Sequence, residues 1–141
     1  MDQVLFNRLY NYLIKKKNIV FAYIFGSFVK CDRYNDIDFA IFLSDGKIST
    51  LEYLNLKREL MDIVSVEVDI VILNEANPLI KHEVFKNGIR LFSRDRELES
   101  NFIVHSLFEY EDMKKYYDLS YKTMIDRIRK EVRINGENRG S

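Results

Sequence analysis

The feature that most constrains the fold is a run of seven consecutive apolar residues at positions 19–25, IVFAYIF, which stops at Gly26. The run is short and rich in aromatic and β-branched side chains, as is typical of a β-strand that is buried on both faces. It is much shorter than the roughly 18 apolar residues that a membrane-spanning helix needs. The sequence therefore predicts a buried strand and no association with a membrane.

Apolar periodicity along the rest of the chain predicts helices and strands around this first strand. The predicted order is helix 4–16, strand 19–25, strand 36–43, helix 49–64, strand 66–73, helix 77–86 and strand 89–92. The core face predicted for the second helix consists of Leu51, Leu54, Leu60, Met61 and Val64. Beyond residue 95 no strand pattern recurs, and apolar side chains at helical intervals predict one or two further helices.

Composition limits the classes of function that this chain can serve. Its 141 residues suit one domain, and 47% hydrophobic content is enough for one core. With 22 basic and 22 acidic residues the net charge is zero, which argues against direct nucleic-acid binding through a general cationic surface. The single cysteine, Cys31, cannot form an internal disulfide, and no signal-peptide pattern opens the sequence. We therefore expect a cytoplasmic protein.

Three aspartates form the candidate catalytic and metal-binding site. Side chains alternate along a strand, so Asp36 and Asp38 share one face. If the strand that carries Asp69 lies beside them, it adds a third carboxylate. Three carboxylates this close repel one another strongly without cations, and Mg²⁺ is the natural counter-ion for such oxygen ligands.

The end of the first strand supplies the candidate nucleotide-binding residues. Gly26 has no Cβ, so a phosphate can approach the backbone closely. Ser27 offers a hydroxyl at the predicted start of a helical turn, and Lys30 adds a positive charge for the terminal phosphates. Donors would then meet a polyphosphate on one side and metal ions on the other.

These residues resemble the signature of the nucleotidyltransferases of the DNA polymerase β superfamily, in which Gly-Ser is followed by a short segment and Asp-x-Asp. Here Gly26-Ser27 is followed by Asp36-Ile37-Asp38 after eight residues, a spacer shorter than in many members, with Cys31 where glycine is common. The chain length, the helix before the first strand and the aromatic helical tail look like the MntA-type antitoxins, minimal nucleotidyltransferases that are paired with a HEPN toxin.

The resemblance implies an α+β nucleotidyltransferase fold, with a small mixed sheet, helices packed on one side and a C-terminal helical extension. The change of pattern at residue 95 and the Gly- and Asn-containing end of the sequence predict a core at residues 1–94, a helical extension of the same domain at 95–134 and a flexible tail at 135–141. The resemblance also implies transfer of AMP from ATP to a hydroxyl, that of a tyrosine, on a HEPN ribonuclease toxin. Asp36 and Asp38 would ligate two Mg²⁺ ions, Asp69 would complete the site, and Gly26 and Ser27 would hold the triphosphate.

Two alternative functions remain open on the sequence. The chain could transfer a nucleotide to a small molecule such as an aminoglycoside, although it lacks an additional domain to enclose such an acceptor. It could also neutralise a toxin by contact alone, without catalysis. The apolar surplus of the C-terminal helices suits contact either with a toxin or with a second copy in a homodimer.

Overall fold

The computed structural model describes residues 2–26 and 36–139, with side chains as far as residue 133. The sequence-predicted strands and helices are present, with boundaries that shift by a few residues. In chain order the elements are α1 (Gln3–Ile14), β1 (Ile19–Phe25), β2 (Asp36–Leu43), α2 (Thr50–Val64), β3 (Glu67–Ile72), a 3-10 turn (Leu73–Glu75), α3 (Pro78–Asn87), β4 (Ile89–Ser93) and α4 (Arg96–Arg139).

The four strands form one mixed sheet in the order β3-β2-β1-β4. β1 pairs antiparallel with both β2 and β4, whereas β2 and β3 are parallel. A parallel pair needs a long crossover connection, and α2 with its flanking loops supplies it. The predicted mixed sheet and C-terminal helix are therefore confirmed.

Helices cover both faces of the sheet, where the sequence predicted cover on one side. α1 and α2 bury Leu9, Leu13 and Leu60 against one face. On the other face, Val84 of α3 and Phe102 of α4 pack against the aromatic side chains of the central strands. The reason is the first strand itself, because β1 is buried at every position and a strand with two apolar faces needs cover on both.

The core face of α2 differs from the sequence-based prediction. Leu51 and Leu54 are 70% and 55% exposed, and the buried side chains are Leu56, Leu60 and Val64. Their spacing of four residues keeps them on one face of the helix. The prediction was wrong at the first turn because Leu51 and Leu54 lie around the helix from this face. Tyr53 of the same turn does meet the sheet, since it packs against the core and its hydroxyl donates to the Ile70 carbonyl.

α4 joins the domain through a buried carboxylate, that of Glu99. Its Oε2 accepts a 2.7 Å hydrogen bond from the Tyr23 hydroxyl and a 2.8 Å hydrogen bond from Arg90 Nε. Burial and this carboxylate raise the pKa of Tyr23 to about 12, so its hydroxyl stays protonated and donates.

The end of α4 differs from the sequence-based prediction. The predicted helical extension ends at residue 134, but the helical backbone continues to Arg139.

Candidate active site

Three aspartates converge where β2 begins beside β3. Asp36 and Asp38 share a face of β2, and the parallel register places Asp69 of β3 opposite Asp38. Each side chain offers a carboxylate oxygen that lies within 4.8 Å of those of the other two. The structure thus brings together the three residues that the sequence singled out.

Charge repulsion is visible at the middle carboxylate. Asp38 is half-buried, and its pKa lies above the ordinary value because of burial first and then because of the negative charges of Asp36 and Asp69. A raised pKa means that the three-fold ionised cluster costs free energy in the protein alone. A bound cation would remove this cost, since it would attract all three oxygens.

The donor set fits a divalent cation of the Mg²⁺ type. Hard cations of this kind prefer oxygen ligands, and one or two carboxylates with phosphate and water usually complete the coordination. Asp69 is exposed and Asp38 is partly accessible, so ligands from solvent can reach the cluster. Two carboxylates on one strand and one on its neighbour can hold such an ion together.

The backbone of Gly26 lies close to the Asp38 carboxylate. It follows β1 with φ of +84°, in the left-handed region that favours glycine. A Cβ at this position would lie 2.4 Å from Asp38 Oδ2, which no real side chain permits. The absence of a side chain at position 26 therefore leaves room for the Asp38 carboxylate as well as for an incoming ligand.

The structure adds one residue that the sequence did not indicate. Lys57 of α2 reaches around the edge strand β3, and its Nζ lies 3.9 Å from Asp69 Oδ1. The sequence contained no signal for this contact, since Lys57 is one of several charged residues on an amphipathic helix.

Of the three predicted nucleotide-binding residues, Gly26 is described above, whereas Ser27 and Lys30 lie outside the described residues.

The part of the chain that contains the three aspartates matches a known protein family. The family model described as polymerase beta, nucleotidyltransferase matches residues 7–97, which span the sheet and all three aspartates. A Methanocaldococcus jannaschii protein described as a candidate protein adenylyltransferase is 30% identical over 79 residues, which cover 55% of this chain and 84% of that protein. Among the described helices, none combines the length and apolarity needed to cross a bilayer.

Solved structures resemble the chain over most of its length. A tri-AMPylated Shewanella oneidensis HEPN toxin in complex with an MNT antitoxin gives a TM-score of 0.67 at 22% identity, covering 91% of this chain and 98% of that one. The MntA–HepT toxin–antitoxin structure gives 0.66 at 20% identity, covering 90% and 98%. A toxin–antitoxin structure with AMP-PNP gives 0.63 at 23% identity, covering 84% and 97%. At these identities the likeness shows a shared fold.

Proposed function

Because the chain belongs to the polymerase beta nucleotidyltransferase family, we propose that it is a Mg²⁺-dependent protein adenylyltransferase that acts as an antitoxin. It transfers AMP from ATP to a tyrosine hydroxyl of a HEPN-family toxin and so neutralises the toxin. The single observation that carries the proposal is the convergence of Asp36, Asp38 and Asp69 within 4.8 Å, beside the glycine that ends β1.

The nature of the acceptor is supported by the relatives. The M. jannaschii relative is described as a candidate protein adenylyltransferase. A HEPN toxin that carries three AMP groups is present in one structure whose fold this chain shares, and AMP-PNP is present in another. A protein hydroxyl as acceptor and ATP as donor are therefore the assignment that accounts for both sets of relatives.

The roles of the aspartates follow from their positions. Asp36 and Asp38 would hold two Mg²⁺ ions, and Asp69 would complete the ligand set on the edge strand. When bound, the two ions neutralise the charge that develops on the attacking and leaving oxygens. An acceptor can approach the cluster at Asp69, because β3 is the last strand on its side of the sheet and Asp69 is exposed.

In the reaction, the acceptor oxygen forms a bond to the α-phosphorus of ATP while the bond from that phosphorus to the bridging oxygen breaks. Pyrophosphate leaves with the electron pair, and the hydroxyl proton passes to Asp69 or to water beside it. Little covalent chemistry falls to the protein in such transfers, so its contribution is positioning and electrostatic stabilisation. Gly26 and Ser27 would hold the triphosphate for this in-line attack, and Lys30 would add charge at its terminal phosphates.

The test is a transfer assay with the full chain. The protein is incubated with each labelled nucleotide, Mg²⁺ and a candidate HEPN toxin encoded beside it, and the toxin is then analysed by intact-mass and peptide mass spectrometry. We expect AMP on a toxin tyrosine with ATP as donor, and no transfer when EDTA removes the metal. Label on an aminoglycoside but not on the toxin would instead support the small-molecule alternative.

A matched pair of variants separates catalysis from contact. Asp38→Asn removes a central carboxylate, whereas Asp45→Asn changes an exposed aspartate just beyond the other end of β2. We expect Asp38→Asn to lose both transfer and neutralisation while Asp45→Asn keeps both. Neutralisation that survives Asp38→Asn would contradict the enzymatic mechanism and support inhibition by contact.

A further inference from the structure

The distal half of α4 carries an apolar stripe that nothing in the described structure covers. It consists of Tyr117, Tyr121, Met124, Ile128 and Val132. These side chains are between 47% and 65% exposed. We refer to these five residues as the distal stripe. Isolated apolar side chains on a surface are ordinary, but five in one line on a single helix mark a contact surface.

The distal stripe continues the face by which α4 packs on the domain. Upstream, Glu99 and Ser106 on that face are buried, and Phe102 packs in the second core cluster. From position 99 onward the face repeats at intervals of three, four and four residues, so positions 99, 110, 121 and 132 are equivalent. An 11-residue repeat of this kind runs almost parallel to the helix axis. The face that packs on the domain therefore continues along the helix as the apolar distal stripe, against which no other described residue range packs.

We propose that the distal stripe is the interface of a homodimer in which two copies of α4 pair antiparallel. This inference rests on α4 alone and is independent of the proposed enzymatic function. A two-fold axis near Tyr121 would bring each distal stripe against that of the partner, as an isologous interface requires. The eleven-residue repeat allows the two helices to pair with little or right-handed supercoiling.

The charge distribution along α4 favours antiparallel pairing with α4 of a second copy. Residues 109–118 contain four acidic and two basic side chains, whereas residues 122–133 contain five basic and two acidic side chains. Antiparallel copies place the acidic half of one helix over the basic half of the other. Parallel copies would place five basic side chains opposite five others, and like charges across a helix pair are destabilising.

The area available is sufficient for a specific contact. Each of the five side chains exposes roughly 100 Å², taken from the size of such side chains, so a pair of distal stripes buries about 1,000 Å² in total. That value lies at the lower limit for biological interfaces, and the flanking lysine and arginine stems add to it. We therefore expect a dimer that dissociates on dilution.

Light scattering and sedimentation of the full chain test the dimer. The mass should approach twice the 16.9 kDa of one chain and fall on dilution. Tyr121→Glu should give only monomer. Leu119→Glu is the matched control, because Leu119 is 67% exposed on the side of α4 away from the stripe, and it should leave the dimer unchanged. Circular dichroism spectra that match the unsubstituted chain would show that both variants fold, as expected for changes at exposed positions.

Disulfide cross-linking tests the direction of pairing. Tyr117→Cys and Met124→Cys are prepared separately in a Cys31→Ser background, one with an affinity tag, and are oxidised as a mixture. The antiparallel pair places position 117 near 124 of the partner, so the mixed disulfide should predominate. Monomer at every concentration, equal dissociation by Leu119→Glu, or disulfides between identical positions would each overturn the proposal.

Discussion

Substitution of Gly26 by alanine tests whether the close approach of β1 to the aspartates matters for function. The new Cβ would lie 2.4 Å from Asp38 Oδ2, so the carboxylate has to withdraw by about 1 Å to reach the ordinary contact distance of 3.4 Å. Displacement of a positioning group by about 1 Å can reduce a rate by about 100-fold. Alanine at φ of +84° also costs about 1–2 kcal/mol of stability. We expect both effects in Gly26→Ala.

Gly46→Ala is the control that separates these two effects. Gly46 has φ of +73°, so alanine is strained there as well, but the nearest atom to its Cβ would be 3.8 Å away on Asn74. Urea unfolding should therefore show a similar loss of stability for both variants. Initial rates of AMP transfer and Mn²⁺ affinity should fall only in Gly26→Ala. Unchanged rate and metal affinity in folded Gly26→Ala would refute the reasoning.

Three further predictions concern the charged groups of the structure. Because the pKa of Asp38 is raised in the folded protein, its negative charge destabilises the metal-free fold above pH 3.8. Asp38→Asn should therefore raise the urea midpoint at pH 7. This increase in stability should vanish as the pH falls below 3.8. Lys57→Gln removes a cation 3.9 Å from Asp69, which should favour metal binding by about 1 kcal/mol. Mn²⁺ titration should therefore give a several-fold lower dissociation constant. Weaker binding would instead mean that Lys57 positions Asp69. Glu99→Ala leaves the partly exposed Arg90 without its carboxylate and should cost about 2–3 kcal/mol in urea unfolding; a loss below 0.5 kcal/mol, roughly the scatter of surface substitutions, would contradict this.

Local sequence patterns predicted much of the fold. The strand at 19–25, the pairing of Asp36 and Asp38 on one face and the cap of α3 at Asn77-Pro78 each depend on neighbours within a few residues. The period of a strand and the chemistry of a cap are local properties, so the sequence predicts them well. The error at α2 concerned which face of the helix meets the sheet, because Leu51 and Leu54 have helical spacing but lie around the helix from the buried face of Leu56, Leu60 and Val64.

The sequence alone determined which residues could do the chemistry: the two aspartates on one strand, the glycine that ends the strand before it, and the resemblance to nucleotidyltransferases that these carry. Only the tertiary structure decided that β3 runs parallel to β2 in the register that brings Asp69 opposite Asp38, that Lys57 reaches the same carboxylate, and that helices cover both faces. The physical reason is that strand order and register depend on contacts between residues far apart in the chain, whereas periodicity and caps depend only on neighbours.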